Sequence, residues 1–137
     1  MREVTILGGG ESIKYCPYDT KEIWTCNRVY KKAKRVTKLF WMHGFKFDED
    51  VDFQVITKKT YPYKAIIEKF GDYFTDSVCY ILAYALYKGY KKIKLYGVEM
   101  NLKRHQEERP GVEFWLGVAK GMGIQIEIGE GSCLMKR

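Results

Sequence analysis

Arg2-Glu3-Val4-Thr5-Ile6-Leu7 runs directly into Gly8-Gly9-Gly10-Glu11-Ser12. A short β-rich run that ends in a glycine turn is how many α/β nucleotide-binding domains begin. The glycines let backbone approach a phosphate, and the first turn of the following helix offers it unpaired N–H groups. The dinucleotide fingerprint is incomplete. Ile13 stands where a third glycine belongs, and the second strand, about 20 residues on, ends in Cys26-Asn27 rather than in an acid. The stretch therefore predicts a nucleotide or phosphate pocket and not a standard NAD site, with a tight turn that holds no ligand as the plain alternative.

Outward from this turn, short runs rich in β-branched and aromatic residues recur at Val4–Leu7, Ile23–Cys26, Leu39–Met42, Phe53–Ile56, Ile93–Tyr96 and Ile124–Ile128, and they read as strands. Val78, Ile81, Leu82, Ala85 and Leu86 make an apolar stripe that predicts a helix over Ser77–Lys88, capped by Thr75 or Asp76 and closed by Gly89. A second helix is expected from Pro110 to about Gly121 or Gly123, and a third over Pro62–Phe70, stopped by Gly71. Strands alternating with helices predict an α/β, Rossmann-like three-layer domain: a mainly parallel sheet of five or six strands with helices on both faces. No linker, repeat or low-complexity tract divides residues 1–137, so one domain is expected.

The formal charge of +7 raises the question of nucleic acid. Lys31, Lys32, Lys34, Arg35 and Lys38 form one basic segment, and Lys88, Lys91, Lys92 and Lys94 another. Each lies beside a strand, where charges serve as solvated flanks, and no zinc finger, helix-turn-helix or single-strand aromatic platform accompanies them. Nucleic acid is therefore not the favoured partner. Cys16, Cys26, Cys79 and Cys133 form no CxxC pair and have no metal-ligand spacing with His43 or His105, so no metal is expected. Cys26 and Cys79 fall inside apolar segments, as buried thiols of a reduced, cytoplasmic protein do. No secretory signal opens the chain, and the apolar run Val78–Tyr87 is about half a membrane span.

Ligands of such sheets bind beyond the carboxyl ends of the strands. The residues collected there are Gly8, Gly9, Gly10 and Ser12; Asn27 and Arg28; His43 and Gly44; and Gly97, Glu99 and Asn101. His105, in the loop after the fifth strand, is the candidate general base, with plain solvation as its alternative. Arg104 and Arg109 can hold a phosphate or pair with Glu107, Glu108 or Glu113. His43 can read a base or simply end its strand, and Glu99 can meet a sugar hydroxyl or cap a turn. Tyr80, Tyr84 and Tyr87 share a helix face suited to packing or to a homo-oligomer contact, and Tyr61 and Tyr63 are placed on a pocket wall.

Three segments carry a resemblance. Gly8-Gly9-Gly10-Glu11-Ser12 is similar to the Gly-Asn-Gly-Pro-Ser turn of small bacterial sialyltransferases and of the related domain in archaeal pterin diphosphokinases. Thr25-Cys26-Asn27-Arg28-Val29-Tyr30 with Lys38-Leu39-Phe40-Trp41 resembles their Cys-Asn-Gln-Phe-Tyr segment and the next strand. Thr75-Asp76-Ser77-Val78-Cys79 through Tyr96-Gly97-Val98-Glu99 resembles their Thr-Ser-Gly helix and Gly-Ile-Asp strand end. The Met42-His43 pair, Tyr96-Gly97-Val98-Glu99-Met100 and Arg109-Pro110 are closer still to short phage-encoded Rossmann-like proteins. The resemblance implies a nucleotide or nucleotide-sugar ligand held by Gly8, Gly10, Ser12, Asn27 and Thr75, with Asp76 where the family has serine and Gly9 where it has asparagine. The family tyrosine that helps the phosphate leave falls at Asn101, its partner near Glu107, and the catalytic histidine near Gln106, one place from His105.

Together these readings predict a nucleotide-binding, glycosyltransferase-like protein of a phage-infected cytoplasm. A non-catalytic nucleotide module, such as a signal sponge in phage–host conflict, and a nucleic-acid accessory protein stand as the alternatives.

Overall fold

In a computed structural model, which describes residues 2–136, six strands and three α-helices follow one another. They are β1 (Glu3–Leu7), β2 (Glu22–Cys26), β3 (Lys38–Trp41), β4 (Gln54–Thr57), α1 (Tyr63–Phe70), α2 (Ser77–Tyr87), β5 (Lys92–Tyr96), α3 (Arg109–Gly121) and β6 (Gln125–Ile128). Every strand pair is parallel, in the order β4-β3-β2-β1-β5-β6. Each expected strand forms with no end moved by more than one residue, because burial and alternation locate a strand better than they locate its last hydrogen bond.

The chain walks from β1 to β4 in one direction, then crosses to the far side of β1 and continues from β5 to β6 in the other. Parallel crossovers are right-handed, so connections made in opposite directions cover opposite faces. The three α-helices accordingly share one face. Val4, Ile6, Trp24, Phe40, Ile93 and Leu95 point into it and pack on α2 and α3. Trp24 sits at its centre, its ring 4.9–5.7 Å from those of Phe40, Tyr84 and Tyr90. The opposite layer is thinner than the expected row of helices. It is built from loops and short 3-10 turns at Glu11–Tyr15 and Asn27–Lys31, which cover Leu7 and Ile23 with Ile13, Cys16, Tyr18 and Val29.

Helix α2 is buried along most of its length because it lies between the sheet and both other helices. Asp76 caps it, Oδ1 accepting from Cys79 N–H (3.2 Å), and Gly89 leaves it at φ +80°. The tyrosine stripe is largely a packing surface. Tyr84 is buried, and Tyr80 stacks on Phe74 (4.4 Å, 13°). Tyr61 and Tyr63, expected on a pocket wall, pack edge-on against Tyr80 instead, and Tyr61 donates to the Tyr80 carbonyl (2.6 Å). Among the described residues no helix is long and apolar enough to cross a membrane.

Where β1 and β5 end, their turns interlock. Gly8 N–H donates to Tyr96 O and Gly10 N–H to Gly97 O, both at 2.8 Å. Gly97 N–H donates to Ser12 Oγ (2.7 Å). A Cβ on Gly8 would stand 2.5 Å from Gly97 O, and one on Gly97, at φ +76°, would overlap the Gly8 carbonyl. A Cβ on Gly9 would meet Val29 Cγ2 at 3.6 Å and the flexible end of Lys32 at 3.9 Å, both ordinary contacts. Gly97→Ala is therefore expected to cost about 3 kcal/mol or more, combining left-handed strain with backbone overlap, while Gly9→Ala stays within about 1 kcal/mol. Urea unfolding of the two variants checks this, and equal losses would show that the interlock is not what demands glycine.

Candidate functional site

The chain's reversal of direction places β1 and β5 side by side with connections leaving to opposite faces, which opens a crevice at the strand ends. A cleft of about 460 Å³ occupies it. Its floor is Gly8, Gly9, Gly10 and Gly97. Asn27 and Asp76 stand on one side, and Glu99, Asn101, Arg104 and His105 on the other. The cleft thus gathers nine residues expected on the rim or in the loop after β5.

Two glycines of the turn are needed for the interlock, and their N–H groups are spent on it. The anion slot is filled as well. Glu99 Oε1 accepts from Ser12 N–H (2.7 Å), the donor at the start of the 3-10 turn that a phosphate would use. Its other oxygen lies where a Cβ on Gly10 would be. Glu99 therefore caps a turn, and it is the turn after β1. Gly9 and Glu11 N–H have no protein partner among the described residues, and both residues line the cleft. Ser12 itself is buried beneath the turn.

Asn27 is the first residue after β2 and adopts φ +55°. Its Oδ1 is buried and has no hydrogen-bond partner. Burial, reinforced by the charge of Glu108, pushes the Asp76 carboxyl up to about 6 against the pull of its bonds to Cys79. Cys26, also on the wall, has its thiol pushed up to about 12 by burial and then by Asp76, so it is no nucleophile at neutral pH. His105 Nδ1 accepts from Leu102 N–H (3.2 Å). In the neutral ring that bond leaves the proton on Nε2, which makes His105 a hydrogen-bond donor toward a ligand. Arg104 forms no ion pair among the described residues, and Lys32 Nζ reaches the Gly9 carbonyl (2.9 Å).

Three expected contacts lie elsewhere. Thr75 donates to Glu108 O (2.7 Å) and seats the start of α3, where Gly111 has no Cβ to obstruct it. Arg109 pairs with Glu113 (3.1 Å) and holds the carbonyls of Cys133 and Lys136. His43 stacks on Phe45 in a separate hollow beyond β3 and β4. The walls Val29, Val98, Met100 and Leu102 were missed because apolar residues carry no chemical signature, although they flank residues that were collected. No cluster of metal ligands occurs among the described residues.

No protein-family model matches the chain, and no curated protein matches it in sequence. Solved structures do match. The chain is similar in fold to a sialyltransferase. CstII from Campylobacter jejuni, in complex with the substrate analogue cytidine-5'-monophosphate, aligns with TM-score 0.66 at 19% identity, covering 98% of this chain and 82% of that one. CstII with a trisaccharide acceptor and CMP aligns at TM-score 0.57, 16% identity and 92% and 80% coverage. CstII with CMP-3FNeuAc aligns at 0.54, 17%, 96% and 88%. At these identities the likeness is one of fold.

The raised Asp76 carboxyl has a sign that can be tested. The native state binds this proton more tightly than the unfolded chain does. Asp76 should therefore make stability fall as pH rises from the ordinary carboxylate range near 4 to about 6, by roughly 3 kcal/mol at most. Asp76→Asn keeps a good cap and is expected to remove that fall and to stabilise at pH 7. Unfolding free energies across this range decide it; an unchanged pH profile would mean the carboxyl is ionised without penalty.

Proposed function

We propose that the cleft between the β1 and β5 ends binds a nucleotide or nucleotide-sugar, and that the protein is a glycosyltransferase-like transferase using a nucleotide-activated donor. The observation that carries the proposal is Asn27. An amide oxygen buried without a partner costs about 1–3 kcal/mol, and a ligand amino or hydroxyl group entering the cleft recovers it. The fold supports the same reading, since the CstII structures it resembles hold CMP or CMP-3FNeuAc. In this assignment Asn27 meets base or ribose, and Gly9 and Glu11 N–H face the phosphates. Arg104 supplies positive charge, and His105 donates through Nε2 to the departing phosphate.

A second reading is favoured by two details of the site. Glu99 stands in the anion slot, and the Nδ1 lone pair of His105 is engaged by Leu102. A pocket arranged in this way suits a binding module that holds a nucleotide without turning it over, as a phage-encoded sponge for host nucleotides would.

Calorimetric titration with CMP and other nucleoside monophosphates tests both. Binding is expected for at least one base, weakened about tenfold by Asn27→Ala, and absence of binding to any nucleotide by the folded protein would overturn the proposal. Glu99→Gln is expected to strengthen binding of monophosphates relative to the matching nucleosides, because it removes a like charge from the slot; an equal change for both would place the phosphate elsewhere. Release of CMP from a CMP-sugar then separates the transferase from the module.

A further inference from the structure

A second hollow is larger than the cleft. About 660 Å³ in volume, it lies beyond the carboxyl ends of β3 and β4 and shares no residue with the cleft. Its floor is aromatic. Phe45 is 59% exposed, yet it is held in place. The Trp41 indole N–H donates to the Phe45 carbonyl (3.0 Å), the two rings meet edge-on at 5.4 Å, and His43 stacks on Phe45 at 4.9 Å and 15°. Such a ring pays no ordering cost when a flat partner settles on it.

The wall of the hollow is cationic. Lys46, Lys58 and Lys59 are exposed and form no ion pair among the described residues. The basic segments of the sequence are paired only in part, since Lys34, Lys88 and Lys91 likewise form no ion pair among the described residues. There Lys31, Lys92 and Lys94 are paired with Glu49, Glu3, Glu127 and Asp19, and Arg35 is spent on the carbonyls of Tyr18, Thr20 and Lys21. In the acidic run that follows, Asp48 forms no ion pair among the described residues. Glu49 faces Lys31, and Asp50 and Asp52 line a separate hollow.

A fixed, open aromatic face beside unpaired cations recognises a flat ring carrying adjacent negative charge, repeated along a flexible backbone. We propose that this shelf binds single-stranded nucleic acid, a base extending the His43–Phe45 stack while neighbouring phosphates meet Lys46, Lys58 and Lys59. A duplex hides its base faces and is a poor ligand for the shelf.

Fluorescence anisotropy with a short labelled oligothymidylate tests this, with a duplex of matched length and free thymidine monophosphate as competitors. The strand is expected to bind more tightly than the duplex, with log K falling against log salt at a slope of about −2 for three phosphate contacts. Phe45→Ala should lose about fivefold or more in affinity, Phe45→Trp should keep it, and Lys58→Ala with Lys59→Ala should flatten the slope by about 1.4. Asn27→Ala should leave strand binding unchanged, which separates this site from the nucleotide cleft. Equal affinity of wild type and Phe45→Ala would overturn the proposal by showing that net charge alone attracts the strand. So would preference for duplex, absence of binding at low salt, or displacement by the monophosphate at equal concentration.

Discussion

The interlock of the two turns at the ends of β1 and β5 is the constraint on which the site depends. Gly8 and Gly10 donate across to Tyr96 and Gly97, Gly97 donates back to Ser12, and Ser12 donates to Glu99. The backbones approach too closely for side chains at these points, so glycine is required by protein against protein. The central strands are thereby tied at the edge where the connections diverge. The cleft is the space left above that knot, and its floor is bare backbone because the knot admits nothing larger.

The same contact sets the electrostatics of the cleft. A carboxylate on a short 3-10 turn satisfies an N–H that has no partner within the turn, and here Glu99 performs that task from another segment. The cleft therefore carries its own anion at the place where many α/β domains take a phosphate. Asp76 adds a carboxyl whose burial favours the protonated form, Arg104 and His105 line the same cleft, and Lys32 reaches the Gly9 carbonyl of its floor. A nucleotide with hydrogen-bond donors on its base or ribose fits such a lining better than a bare phosphate does.

Handedness also explains why the rim has a second hollow. Connections toward β4 run over the face that carries no α-helix, and the one between β3 and β4 is a loop throughout. Without a helix to dock, its aromatic residues pack on one another above the strand ends. Trp41, His43, Phe45 and Phe47 form a self-supporting cluster that reaches solvent. The helices on the other face bury Tyr61, Tyr84 and Tyr90 in the core.

The six strands, the three helices and the parallel character of the sheet were legible in the sequence, because alternation, apolar stripes and helix-ending glycines are local consequences of burial; the strand order and the placing of all three helices on one face were not. The gathering of Gly8, Asn27, Glu99 and Asn101 on one rim was legible too, since strand direction alone dictates it. What each of those groups faces was not. Glu99 and Ser12 are 87 residues apart, and only their meeting shows that the anion slot is filled. Thr75 and Arg109 have the chemistry of ligand contacts, yet tertiary neighbours consume it in Glu108, Glu113 and the carboxyl-terminal carbonyls. Conversely Phe45, Lys58 and Lys59 carry no motif. Residue type and local pattern determined where chain segments run; which polar groups remain unspent was decided by long-range packing, because a hydrogen bond or an ion pair is used up by whichever partner the fold brings within reach.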